Sequence, residues 1–177
     1  MSLAHVILGL LHQEQMTGYD LKTSCFDQCI AHLWQADQAQ IYRTLDKLES
    51  QGCITCTVEI QHDRPNRKVY QVTEAGKGEL RRWLQSYHPL PAVRDPLLVQ
   101  VHFAALLSDA DLAELLQQQL IARRQKLADC QAIALPSVND AAASRQERVQ
   151  RLALELAMRR EQTYIDWLEE AIAVMAN

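Results

Sequence analysis

Gln40, Arg43, Thr44 and Lys47 fall at i, i+3, i+4 and i+7, the spacing that lines four polar side chains along one face of a helix. The chemistry open to such a face is the reading of nucleic-acid bases. Glutamine can pair with adenine through its carboxamide, the oxygen accepting and the NH2 donating, and arginine can pair its guanidinium with guanine, so Gln40 and Arg43 are the candidates for base contact. Gln38, Thr44 and Lys47 suit either base or phosphate. A second basic group, Arg64, Asn66, Arg67 and Lys68, has only Asp63 as a nearby opposing charge. Its Arg64, Arg67 and Lys68 suit phosphate contact. Each group alone is also compatible with an ordinary solvated face or turn. Their occurrence side by side favours the nucleic-acid reading.

Other chemistries find less support. Cys25, Cys29 and His32 sit at i, i+4 and i+7, which on a continuous helix would align three metal-competent side chains, so a metal- or redox-sensing regulator is one alternative. The competing reading is small buried hydrophobic cysteines and no metal or cofactor. Cys53 and Cys56 form a CxxC, but on a strand i and i+3 point to opposite faces. The sequence carries no Gly-rich phosphate loop, no HExxH and no nucleophile elbow, and its six histidines are scattered, so no enzyme is expected.

These residues need elements to position them. Leu3, Val6, Ile7, Leu8, Leu10 and Leu11 make Ser2 to Gln13 a mostly buried helix. Thr17-Gly18 breaks that pattern, and a second helix is expected from Tyr19 towards Trp34. Asp37 and Gln40 have capping-box spacing ahead of Ile41, Leu45 and Leu48, so the polar face described above belongs to a third helix that stops at Gln51-Gly52. Alternation at Ile54, Val58 and Ile60, a turn over 62–67, and Val69, Tyr70 and Val72 predict a hairpin with a basic tip. Thr73 should cap a fourth helix that Pro89 and Pro91 end. Three helices followed by a basic hairpin form a winged helix-turn-helix, with the third helix suited to the major groove and the wing to the phosphates.

The second half contains no glycine after Gly78 and favours helix. Asp95-Pro96 opens one helix, ending near Leu107, and Ser108 with Asp111 opens another, running to about Ala134. A last helix is expected from roughly Ala141 to Met175. Along it Leu154, Met158, Ile165, Leu168, Ile172 and Met175 follow spacings of four and three, broken by Glu161, and are expected to form a dimer seam. Val149, Leu152, Leu156, Tyr164, Trp167 and Val174 lie on another face, so the helix carries more apolar surface than one neighbour in its own chain would cover.

The predicted fold class is therefore mainly α with a small β-hairpin wing: a winged helix-turn-helix domain over 1–88 and an all-α dimerisation domain over 89–177. The 177 residues carry a formal net charge of −4, which argues against non-specific coating of nucleic acid. Neither half is basic overall, so DNA contact must come from a local patch; a winged-helix module that binds another protein is the alternative. Five cysteines do not resemble a secreted disulfide framework. No apolar run is long enough to span a bilayer, and residues 1–11 lack a basic leader and cleavage site, so a cytoplasmic protein without membrane association is expected.

SLAHVILGLLHQEQMTGYDL at the start, QIYRTLDKLESQGCI, and KVYQVTEAGKGELRRWL after the wing together resemble the PadR family of bacterial transcriptional regulators. RDPLLVQVHFAALLS and YIDWLEEAI extend the likeness to that family's longer helical type. The resemblance implies a repressor or activator, a homodimer joined through its last helix and first helix, bound to an inverted-repeat DNA operator. Carried over by motif, the DNA-contact positions are Tyr19 in GYDL, Gln40 and Tyr42 in QIYRTL, and the wing residues near Arg67; Tyr70 matches a structural position. Arg43-Thr44 departs from the pair common in the family, so base preference does not carry over. Some members respond to flat aromatic effectors, for which Tyr164 and Trp167 are the candidates; such a small molecule would relieve repression.

Overall fold

A computed structural model describes residues 2–60 and 66–175. The chain divides into two compact units, Met1–Leu90 and Pro91–Asn177.

The first unit begins with α1 (Leu3–Gln13), whose Ile7, Leu8, Leu10 and Leu11 are buried. A short strand β1 (Met16–Thr17) follows, at a place where the sequence predicts only a break. Thr17 then caps α2. Its hydroxyl accepts from the Asp20 amide at 3.0 Å, and the Asp20 carboxylate accepts from the Thr17 amide at 3.2 Å. This helix starts as Gly18–Asp20 and continues over Leu21–Cys29 with the wider i to i+5 turn. It ends short of the expected Trp34. Residues 30–33 form turns instead, with the Leu33 and Trp34 amides both donating to the Ile30 carbonyl. Runs of such wide turns are rare and usually short.

α3 (Gln38–Ser50) is capped as its sequence predicts: Asp37 accepts from the Gln40 amide at 2.7 Å, and the Gln40 side chain accepts from the Asp37 amide at 3.2 Å. Its apolar side, Ile41, Leu45 and Leu48, is buried. Gly52, at φ +69°, turns the chain out of α3 through the left-handed region that favours glycine. β2 (Ile54–Glu59) and β3 (Arg67–Val72) pair antiparallel, from Ile54 opposite Val72 to Glu59 opposite Arg67. β1 adds to the free edge of β3, with Met16 opposite Tyr70, giving the order β1-β3-β2. α4 (Glu74–Gln85) is capped by the Thr73 hydroxyl, which accepts from Gly76 and donates to the Gly52 carbonyl. A side chain at Gly76 would place its Cβ 2.0 Å from the Cys53 carbonyl oxygen, so this junction requires glycine.

The second unit holds α5 (Pro96–His102), a tight helical turn at Ala104–Leu106, α6 (Asp109–Gln131) and α7 (Arg145–Met175). α7 starts after Ser144 rather than Ala141, because Ser144 and Glu147 form a reciprocal cap: Ser144 donates its amide to the Glu147 carboxylate at 2.7 Å, and Glu147 returns its amide to the Ser144 hydroxyl at 3.2 Å. α6 and α7 lie along one another. Their joint core is Leu97, Leu116, Leu120, Ile165 and Leu168, with Ile172 and Met175 packed against it.

That packing covers part of the expected dimer seam within the chain itself. Leu154, Ile165 and Leu168 are buried within their own chain, Met158, Ile172 and Met175 are half-buried, and Glu161, which interrupts the series, is fully buried. An amphipathic helix buries an apolar stripe against its neighbours, and for α7 the neighbour is α6. Of the second stripe, Val149, Leu152, Leu156 and Val174 are all more than half exposed, whereas Tyr164 packs against the joint core. Glu161 keeps its charge inside the unit because Arg123 donates to it at 2.8 Å, with Lys126 and Arg160 3.3 and 3.6 Å away.

Candidate nucleic-acid interface

The buried side of α3 fixes the direction of the other side. With Ile41, Leu45 and Leu48 held in the core, Gln38, Gln40, Arg43 and Lys47 project into solvent, and Tyr42 and Thr44 lie half-buried at the edge. Several of these side chains already have partners. Arg43 donates from Nε to the Ala39 carbonyl at 3.2 Å, and Thr44 donates its hydroxyl to the Gln40 carbonyl at 2.7 Å. The Gln40 carboxamide oxygen holds the α3 cap. A bidentate contact to adenine would share or break that bond.

Beside α3 a groove of about 590 Å³ opens between the start of α2, Tyr42 and the base of the wing. Tyr19, Tyr42, Asn66, Arg67 and Lys68, which stand far apart in sequence, all line it. The pairing of β1 with β3 accounts for this. Because Thr17 lies opposite Val69, the residues just after Thr17 meet those just before Val69. Gly18 permits the close approach on the other side, since a Cβ there would stand 2.7 Å from the Tyr42 ring. Tyr19 is 64% exposed at the mouth of the groove. Arg64, also expected at the wing tip, lies outside the described residues.

Asp20 was not among the residues singled out from the sequence. One of its carboxylate oxygens accepts from the Thr17 amide, from the Thr17 hydroxyl at 2.7 Å and from Arg67 Nη2 at 3.2 Å. The hydrogen bond from the Thr17 side chain, with Arg67 adding to it, holds the Asp20 carboxyl below its ordinary range against the opposing effect of partial burial. The T-x-x-D spacing was a legible sign of the cap; the pairing with Arg67 depended on β1.

The Cys25, Cys29 and His32 set does not assemble. Cys25 is buried, with its thiol donating to the Met16 sulfur at 3.6 Å, whereas Cys29 is exposed at the end of the wide turn. His32 comes after the helix has ended, so the face that would have aligned it is missing. Burial, with Cys29 alongside, pushes the Cys25 thiol up to about 12, and burial lowers the His32 imidazole. Among the described residues no group of His, Cys, Asp and Glu is arranged to hold a metal ion. All five cysteines are free thiols.

Tyr164 is occupied within the second unit. Its hydroxyl donates to Asp95, which also caps α5, and the Arg123 guanidinium lies 3.7 Å above its ring. Trp167, 37% exposed, stands on the outer side of α7. No helix is long and apolar enough to cross a membrane among the described residues.

Comparison with known proteins agrees with this architecture. Residues 7–82 match the family described as transcriptional regulator PadR-like, and residues 93–176 match the virulence activator alpha C-terminal family. The negative transcriptional regulator PadR of Bacillus subtilis is 34% identical, over 98% of this chain and 97% of its own length. Its crystal structure in complex with operator DNA superposes with a TM-score of 0.83 at 34% identity, covering 98% of each chain. Its structure in complex with p-coumaric acid superposes with a TM-score of 0.78 at 33% identity, covering 99% of each. With near-complete coverage and both halves matched, the chain belongs to the PadR family of transcriptional regulators.

Proposed function

We propose that the chain is a dimeric transcriptional repressor that acts on a double-stranded, inverted-repeat operator from the cytoplasm. The observation that carries this is the continuity of the exposed α3 face with the groove lined by Tyr19, Tyr42, Asn66, Arg67 and Lys68. Residues 1–88 supply the DNA-binding domain and 89–177 the dimerisation domain. Gln38, Gln40, Arg43, Thr44 and Lys47 meet the major groove, with Arg43 and Gln40 at base edges; Tyr19, Tyr42, Arg64, Arg67 and Lys68 meet the backbone.

The dimer face is the outer stripe of α7, Val149, Leu152, Leu156 and Val174, because it is the apolar side of that helix still in water. A small phenolic acid is the effector class, by analogy with the B. subtilis relative crystallised with p-coumaric acid. Its binding relieves repression.

A gel-shift series against the protein's own promoter tests the reading. Lys68→Ala is expected to weaken all duplexes alike and to flatten the salt slope by about one ion. Arg43→Ala is expected to lose roughly 5- to 100-fold on the operator and to relax base preference at one position in each half-site. Absence of any sequence-specific shift on genomic fragments would overturn it.

A further inference from the structure

Asp20 is the one acidic residue among the described residues that line the groove beside α3. Its position is over-determined. One carboxylate oxygen takes two donors from Thr17 and one from Arg67, and the Asp20 amide returns a bond to the Thr17 hydroxyl at 3.0 Å. Both members of the ion pair remain open to solvent, with 37% of the Asp20 side chain and 47% of the Arg67 side chain exposed. An arriving phosphate therefore meets an arginine already held by a carboxylate.

Resting on the DNA-binding reading above, we propose that Asp20 is a specificity-determining residue. Its carboxylate holds Arg67 in one place and repels phosphates that arrive out of register, which lowers affinity for unrelated DNA more than affinity for the operator. The physical basis is the difference between the two modes of binding. Non-specific binding is a sum of loosely placed phosphate contacts, and an unrestrained arginine adds one such contact on any duplex. A restrained arginine adds its contact only where the docked register brings a phosphate to it, so the neighbouring negative charge counts against the unrelated duplex first.

Fluorescence anisotropy over a salt series, with the operator and an unrelated duplex of equal length, tests this on the full chain. Asp20→Asn keeps an acceptor for Thr17 and removes the charge. It is expected to bind the unrelated duplex roughly three- to tenfold more tightly, with a salt slope steeper by about one ion and a smaller change on the operator. In an Arg67→Gln background the gain should shrink by at least half. A second measurement needs no change at Asp20: in Arg67→Gln the Asp20 carboxyl, followed by NMR, should titrate at higher pH than in the parent. Specific binding by the parent, with Asp20→Asn unchanged in both affinities and slopes, overturns the assignment and leaves the DNA-binding reading intact. So does a uniform loss on both duplexes, in Asp20→Asn and Asp20→Ala alike, accompanied by a lower Tm, since that is the signature of a helix cap alone. A parent without specific binding to any duplex overturns both.

Discussion

In the unit Met1–Leu90 the charged side chains of α3 and β3 stand at the surface, whereas in Pro91–Asn177 the Glu161 carboxylate is sealed between α6 and α7. The same residue types therefore answer to different constraints. Arg43 and Lys47 could be lost from α3 without leaving a buried charge behind. Removal of Glu161 would strand Arg123, whose side chain is only 18% exposed. Charges at the rim are free to be selected for what they touch outside the molecule, and charges inside are tied to the packing that holds them.

The strongest way to break this comparison is at Glu161. Glu161→Ala is expected to cost about 3–5 kcal/mol in chemical denaturation of the full chain, towards the lower end because Lys126 and Arg160 reach solvent. Burial raises the Glu161 carboxyl, but the hydrogen bond from Arg123 and the charge of Lys126 outweigh it, so the group sits below its ordinary 4.5 in the folded protein. A lowered folded value means that the contribution is complete above the unfolded value and disappears as pH falls through the folded one. Stability measured downwards from pH 5 should thus decline in the parent, with this component absent from Glu161→Gln. Equal pH dependence in the two proteins would show that the buried cluster is not what separates the units.

The second test compares two leucines on one helix. Leu154 is fully buried and Leu156 is 70% exposed. Leu154→Ala should cost roughly 2–5 kcal/mol of stability, whereas Leu156→Ala should leave the fold of the unit within about 0.5 kcal/mol. Analytical ultracentrifugation is the discriminating measurement: Leu156→Glu, more than Leu156→Ala, should shift the protein towards monomer if the outer stripe carries the dimer. A dimer untouched by Leu152→Glu and Leu156→Glu would move the interface elsewhere.

The same two leucines show where the sequence was legible and where it was not. Periodicity found both stripes of α7, because apolar spacing on a helix is a local property. Which stripe faced α6 depended on tertiary packing, and the more regular stripe went inside. Glu161 carried the one local sign of that outcome, a charge in an apolar series that only a partnered interior tolerates. On the DNA-facing side, the α3 cap and polar face were readable from Asp37, Gln40 and the i, i+3, i+4, i+7 spacing, since all are set within two turns of helix. The groove was only half readable. Tyr19 and Arg67 could be named, but Asp20 could not, because its pairing with Arg67 follows from a two-residue strand too short to leave a pattern.

The smallest expected effect sharpens the contrast at the start of α3. Asp37 fixes the first turn of the helix through the Gln40 amide, and Gln40 answers through its carboxamide oxygen. Asp37→Ala should lower stability by only about 1 kcal/mol, as the loss of an exposed cap usually does. Its effect on DNA binding should have a different character. Without the Asp37 carboxylate the Gln40 amide loses its acceptor and the first turn frays, which loosens the backbone that carries Gln40 although the residue-37 amide that bonds its carboxamide remains, so discrimination for the base beneath Gln40 should fall more than total affinity does. Competition binding with operators substituted at single positions measures this directly. A uniform drop across all substituted operators would mean that Asp37 matters only for helix stability, and that Gln40 belongs to the cap rather than to the reading of bases.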